Sequence, residues 1–222
     1  MKTISARAFT SALVILLFSG TGYGQIDFLR RVFEPRILQV TEALRDYIRT
    51  DIPLPIHDRD TELKDIDLIY AKGMELSRRD VSTALLAVSL AVLNRRDIKP
   101  TFPLVGIIKL PLPTEDSTDA VARIDRLPRY IFPDSPRDRW GDSDKLVHFF
   151  GSAYLSYATG MNNLPDAIGN WVEEGEVTFK LDSLQDPRDV FANRLGQQFG
   201  MALSEGRGVI PSDFLRATYI KK

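Results

Sequence analysis

The sequence contains no cysteine. A disulfide framework is therefore excluded, and so is a bacterial lipoprotein, because its lipid is attached to a cysteine. An excess of one charge is also missing, since 29 lysines and arginines stand against 30 aspartates and glutamates. No basic surplus exists to draw the whole chain onto nucleic acid, and no acidic block predicts a disordered tail. A fold without disulfides depends on its apolar core, which 222 residues with 44% hydrophobic side chains can supply.

The apolar run near the N-terminus, residues 12–18, is much shorter than the roughly 20 residues that span a bilayer. Basic but no acidic residues precede it, and small residues follow it. This order predicts a secretory signal peptide over residues 1–24, cleaved between Gly24 and Gln25. Cleavage would leave a net charge of about −3 by the same count. We therefore expect an exported protein, periplasmic or envelope-associated; the alternative is an uncleaved membrane anchor.

The rest of the chain predicts a mainly α fold, a compact helical domain with a proline-rich extended segment. Apolar spacing and capping residues predict helices at about 36–49, 61–77, 81–94, 117–127, 144–160, 164–180 and 187–204, with a short one after Pro211. The predicted cap of the second helix is Asp60 or Thr61, and that of the third is Asp80. Four prolines between residues 97 and 116 exclude a helix there. The helix at 81–94 is nearly all apolar but short, so it predicts a buried core helix rather than a membrane span. We expect a helical N-terminal part over 25–141, ending in an irregular linker at 128–142, and a second helical part over 142–222.

Ionisable side chains gather at the start of the helix predicted near residue 144. Asp144 and His148 are four residues apart and share a helical face. Lys145 stands in the first turn, where a lysine gains nothing from the helix dipole. With no second histidine nearby, Asp144 and His148 could form a structural pair or a ligand or catalytic pair. The other histidine, His57, lies in a proline-rich loop and is expected to be simply exposed.

The last long helix carries a stripe of Asp189, Asn193, Gly196 and Gly200. A glycine costs about 1 kcal/mol relative to alanine in a helix, so we expect these two to admit a neighbouring helix closely. Asp189 and Asn193 would then lie at the same contact and need polar partners there. Asp189 also has a simpler explanation, because it follows the predicted cap Asp186 by three residues, where an acid favours the helix dipole.

The helix predicted between these two supplies Glu173, Glu174 and Glu176, of which Glu176 lies nearest the apolar arc. The same run also fits a solvated face. Three consecutive helices would bring one imidazole and several carboxylates together, and such a group can bind a divalent cation or perform acid–base chemistry. The candidate catalytic residues are Asp144, Lys145, His148, Glu173, Glu176, Asp189 and Asn193. The candidate metal ligands are Asp144, His148, Glu176 and Asp189.

Taken together, these pieces resemble the VanZ-like families and the related YfiM-type predicted periplasmic lipoproteins. The resemblance rests on Asp144-Lys145-x-x-His148-Phe149, an acidic helix, and Asp189-x-x-x-Asn193-x-x-Gly196-x-x-x-Gly200, within residues 142–204. It implies a helical fold with these polar residues clustered at the envelope and the family glutamate at Glu173 or Glu174, and it implies no settled chemistry. This chain departs from both relatives: VanZ-like proteins cross the membrane several times, whereas these helices carry too many charges to do so, and YfiM-type chains carry a lipidated cysteine.

Two functional hypotheses follow. In the first, the cluster belongs to an envelope hydrolase acting on a phosphate- or glycan-bearing molecule, with a divalent cation activating water and Lys145 steadying an anion. In the second, the protein is non-catalytic and the cluster only fixes helix packing, with Asp142 or Ser143 acting as caps. The loop regions 51–60 and 97–142 would then dock an envelope component or the membrane surface.

Overall fold

The computed structural model describes residues 36–94, 115–159 and 187–217 of the chain. Four predictions fall outside these ranges. They are the signal peptide, nearly all of the proline-rich segment, the helix at 164–180 with its three glutamates, and the cap Asp186.

All regular structure in the described ranges is helical, which confirms the prediction of a mainly α fold. The helices are α1 (Arg36–Thr50), α2 (Arg59–Leu76), α3 (Val81–Ala91), α4 (Ser117–Ile124), α5 (Lys145–Thr159), α6 (Pro187–Ser204) and α7 (Pro211–Leu215). No strand occurs in the part of the chain that these ranges cover.

Aspartates begin α2 and α3. Asp80 accepts hydrogen bonds from the Thr83 hydroxyl and amide, as expected for the predicted cap of α3. For α2 the prediction of Asp60 or Thr61 as cap was wrong. Asp58 takes that role, because its extended backbone lets the carboxylate turn back and accept from the Thr61 amide at 3.0 Å.

One apolar core joins the two predicted parts of the chain. Leu44 of α1, Ile66 of α2, Val88 of α3, Phe149 of α5 and Phe199 of α6 are fully buried members of a single cluster. Helix α3 is buried over most of its length, as predicted for a core helix. No helix in the described ranges is both long and apolar enough to cross a membrane.

The segment between α4 and α5 is irregular, as predicted, but much of it is not a solvated linker. Ile131 and Phe132 are buried in the core. The buried carboxylate of Glu62 on α2 accepts hydrogen bonds from the amides of Arg129 at 2.6 Å and Tyr130 at 2.9 Å. The Glu62 carboxylate thus accepts hydrogen bonds from backbone amides that have no partner in a helix, and it connects this segment to α2.

A buried arginine joins α3 to α4. Arg123 has no exposed surface, forms an ion pair with Glu115 at 2.7 Å, and donates to the carbonyls of Ala91 at 2.8 Å and Leu93 at 2.7 Å. These carbonyls lie at the end of α3. Their capture by a guanidinium group accounts for the helix ending at Ala91 rather than near Asn94.

Candidate functional site

Helices α5 and α6 pack in close contact and run in the same direction. Gly196 lies against the backbone of Phe149, and one turn further Gly200 lies against the backbone of Ala153. A Cβ atom at either glycine would overlap a carbonyl oxygen of α5. The predicted close approach of another helix to this glycine stripe is therefore confirmed.

Polar contacts continue along the same helix pair. The Ser152 hydroxyl donates to Asn193 Oδ1 at 2.8 Å, and the Ser156 hydroxyl donates to the Gln197 carbonyl at 3.0 Å. Asn193, predicted as a site residue, is thus a partner in helix packing. The signal for this role was the glycine stripe itself, because buried polar atoms beside a close helix contact require hydrogen-bond partners.

Three ionisable side chains meet where α5 and α6 begin. The Lys145 Nζ atom lies 2.6 Å from Asp189 Oδ1 and 2.8 Å from Asp144 Oδ2. The His148 Nε2 atom lies 3.5 Å from the same Asp189 oxygen. Lys145 is buried, whereas about a quarter of the His148 side chain remains exposed. A buried ammonium group and a partly open imidazole therefore share one carboxylate oxygen.

The predicted pairing of Asp144 with His148 on one helical face needs correction. Helix α5 begins at Lys145, so Asp144 lies in the turn before it, and its half-exposed carboxylate contacts the Lys145 ammonium group. The carboxylate beside the imidazole is Asp189 of α6. The spacing of four residues could not reveal this partner, because it lies on another helix.

A second ion pair lies beside this cluster and was not predicted. The buried carboxylate of Asp142 accepts hydrogen bonds from Arg188, through Nε at 3.1 Å and through Nη2, and from the Ser135 hydroxyl at 2.5 Å. Burial raises the pKa of Asp142, and the hydrogen bonds from Arg188 and Ser135 oppose that rise. Asp142, predicted only as a possible cap, thus connects the start of α5 to the start of α6.

A sequence signal for this ion pair did exist. Arg188 stands in the first turn of α6, as Lys145 does in α5, and a cation there opposes the helix dipole. A basic residue in that position needs a nearby acid. Both helices obtain one across their contact, Asp142 for Arg188 and Asp189 for Lys145.

The remaining candidates have these positions. Glu173, Glu174 and Glu176 lie outside the described residues. Within the described ranges, no group of three or more histidine and acidic side chains is arranged to hold a metal ion. His57 is exposed, as predicted, although its ring packs against Tyr130 with centroids 4.2 Å apart and the ring planes tilted by 39°.

Comparison with known proteins adds no further relationship: no family model, curated protein or solved structure matches this chain. The resemblance to the VanZ-like and YfiM-type families thus stays a prediction based on sequence motifs.

Proposed function

We propose that this chain is an exported bacterial envelope protein whose cluster of Lys145, His148 and Asp189 hydrolyses a phosphate ester by acid–base catalysis. The observation that carries the proposal is the single Asp189 oxygen shared by a buried ammonium group and a partly exposed imidazole. A structural ion pair would need only the lysine. The imidazole adds a proton acceptor that solvent and substrate can reach.

The surroundings of the cluster favour an anionic substrate. Helices α5 and α6 begin side by side, so the positive ends of two helix dipoles point at the same region. The Asp144 and Asp189 carboxylates offset the charge of Lys145, so the helix ends supply the field that attracts an anion. The sequence suggested either a phosphate-bearing or a glycan-bearing substrate. The positive field at the helix ends favours the phosphate-bearing molecule over a neutral glycan.

The proposed reaction uses residues of the cluster in defined roles. His148 accepts a proton from water as the water oxygen bonds to phosphorus and the ester P–O bond breaks. The same proton then passes from His148 to the leaving oxygen. Asp189 stabilises the imidazolium that forms between these steps, and the buried Lys145 holds Asp189 in position beside the imidazole.

A divalent cation is a variant of this proposal. Asp144, His148, Asp189 and Glu176 carry oxygen and nitrogen atoms of the type that Mg²⁺, Mn²⁺ or Zn²⁺ accept as ligands, but the three described residues are not arranged to hold an ion. The Lys145 ammonium group already contacts the Asp144 and Asp189 carboxylates, so it would have to move to admit the ion. For this reason we favour the form in which the chain's own groups carry the proton.

The test is hydrolysis of chromogenic phosphate mono- and diesters by the purified protein, with His148→Gln, Asp189→Asn and Lys145→Met. We expect the first two variants to lose about 100-fold or more in rate, a typical loss for acid–base groups. His57→Gln is the matched control and should keep full activity. Treatment with a chelator distinguishes the metal-free reaction from the cation-dependent one. Only the cation-dependent reaction stops with the chelator and returns when metal is added.

A non-catalytic role is the second candidate, and the Ser152–Asn193 bond and the glycine contacts favour it. These contacts use the same helix faces purely for packing. Full activity in His148→Gln, or no hydrolysis by the unmodified protein, would support the non-catalytic role. In that case substitutions in the cluster should change only the melting temperature.

Export has its own test. We expect N-terminal sequencing of the protein from the periplasmic fraction to begin at Gln25. An intact Met1 on protein that stays in the cytoplasm would contradict the proposed signal peptide.

A further inference from the structure

The short turn between α2 and α3 carries two adjacent arginines in an unusual backbone conformation. Arg78 has φ of 56° and Arg79 has φ of 64°, the left-handed region that favours glycine. Their amides bond back to the Glu75 and Met74 carbonyls, which closes the end of α2. Glycine would make this turn without strain, so the fold does not require arginine at either position.

A third arginine lies at the same corner. The Arg36 guanidinium group, at the first residue of α1, donates to the carbonyl of Ser77, the residue directly before Arg78. Arg36, Arg78 and Arg79 are all exposed. We call these three residues the basic corner.

The acidic side chains next to the basic corner are already engaged. Asp80 caps α3 and accepts from the Thr83 hydroxyl at 2.5 Å, and Glu75 forms an ion pair with Lys72 at 3.0 Å. Within the described ranges, no carboxylate forms a salt bridge with Arg78 or Arg79. The three arginines therefore carry more positive charge than the neighbouring acids offset, because Glu75 is paired with Lys72 and Asp80 supplies a single negative charge.

We propose that the basic corner docks the protein on an anionic phospholipid surface. The chain that leads into Arg36 supports this choice of partner over a soluble anion. Residues 26–33 read Ile-Asp-Phe-Leu-Arg-Arg-Val-Phe, a composition rich in large apolar and aromatic side chains and in arginine. Such mixtures favour the boundary between lipid headgroups and acyl chains, where each nearby arginine also gains from anionic lipid.

This docking surface is separate from the proposed catalytic cluster, so its test needs no enzyme assay. The protein purified from the expressing cells is sedimented with vesicles of phosphatidylcholine, with or without about one third phosphatidylglycerol. We expect binding to the anionic vesicles only. The double variant Arg78→Gln with Arg79→Gln should bind them about 10-fold or more weakly, because two arginines leave the surface.

Two further variants make the result specific. Arg137→Gln with Arg194→Gln removes the same charge from two other exposed positions, and it should bind within about twofold of the unmodified protein. Arg78→Gly with Arg79→Gly should lose vesicle binding yet melt a few degrees higher, roughly 2–5 °C, since glycine relieves the left-handed strain. Loss of binding with a gain of stability cannot come from misfolding.

Three results would overturn the proposal. The unmodified protein could fail to distinguish anionic from neutral vesicles. Both double glutamine variants could lose binding equally, which would indicate net charge rather than the corner. Retention on heparin without vesicle binding would assign the corner to a soluble polyanion instead.

Discussion

Gly196 of α6 lies directly against the backbone carbonyl of Phe149 on α5. The contact leaves no room for a Cβ atom, so the distance between the two helices depends on this glycine. The same distance brings Asp189 to Lys145 and Asn193 to Ser152. Helix packing and the arrangement of the polar cluster therefore share one steric cause.

Gly196→Ala should destabilise the protein by about 1–3 kcal/mol, because the added methyl group meets backbone that has little room to move. Chemical denaturation measures the change. Gly151→Ala on α5 is the control, since a Cβ there meets no atom within 4 Å. That control should stabilise the protein by about 0.5–1 kcal/mol through helix propensity. Equal effects of the two substitutions would contradict the close contact.

Asp142→Asn should cost about 1–3 kcal/mol, because the Arg188 guanidinium group loses its buried counter-charge and keeps the half-exposed Asp134. Asp60→Asn is the matched control at the exposed ion pair with Arg216, and it should change stability by less than about 1 kcal/mol. Thermal denaturation of both variants gives the comparison. A loss in Asp142→Asn no larger than in the control would show that the buried pair does not connect α5 to α6.

Glu62→Gln should loosen the segment between α4 and α5. The neutral amide is a weaker acceptor than the carboxylate for the Arg129 and Tyr130 amides, so we expect a loss of about 1–2 kcal/mol. Hydrogen exchange should show faster exchange at those two amides than at amides in the middle of α3. Unchanged exchange at Arg129 and Tyr130 would mean that Glu62 does not hold this segment.

Asp65 gives a prediction about pH. Its burial, together with the charge of Glu62, raises the pKa of Asp65 from 3.8 to about 6. Because the folded-state pKa lies above the unfolded value, Asp65 favours folding most when it is protonated below about pH 4, and this contribution is lost as the pH rises through 6.

Asp65→Asn should therefore be more stable than the unmodified protein at pH 8, by about 1–2 kcal/mol, and nearly equal to it at pH 4. Urea titrations at both values measure the difference. Asp46→Asn is the control, because Asp46 lies at an exposed position on α1. Asp67→Asn is less suitable, because Asp67 accepts a hydrogen bond from the Ser212 amide. A stability difference in Asp65→Asn that does not depend on pH would contradict the raised pKa.

Much of the local structure was predictable because it follows from neighbouring residues. The apolar spacing of α1 and α3, the Asp80 cap and the proline that begins α6 are all short-range signals, and the helices lie close to where these signals place them. Errors occurred at the ends. Helix α3 ends early because Arg123, some thirty residues away, captures its last carbonyls, and no local pattern contains that contact.

From the sequence it was possible to predict which residues of the candidate site lie near one another, but not which of them form pairs. The spacing of Asp144 and His148 suggested a partnership within one helix, but the acid beside the imidazole is Asp189. For Arg188, its place in the first turn of α6 indicated the need for an acid but did not identify Asp142 as that acid. Ion pairs between helices depend on helix direction and separation, and sequence periodicity carries neither.

The sequence by itself determined the helical content, the need for a core without disulfides, and the close helix contact implied by two glycines one turn apart. Tertiary structure alone decided that α5 and α6 run in the same direction, which places their first turns and their buried charges together. The physical reason is range. Propensity, capping and amphipathic spacing act over a few residues, whereas the partner of a buried charge is whatever group the packed helices bring within a few ångströms.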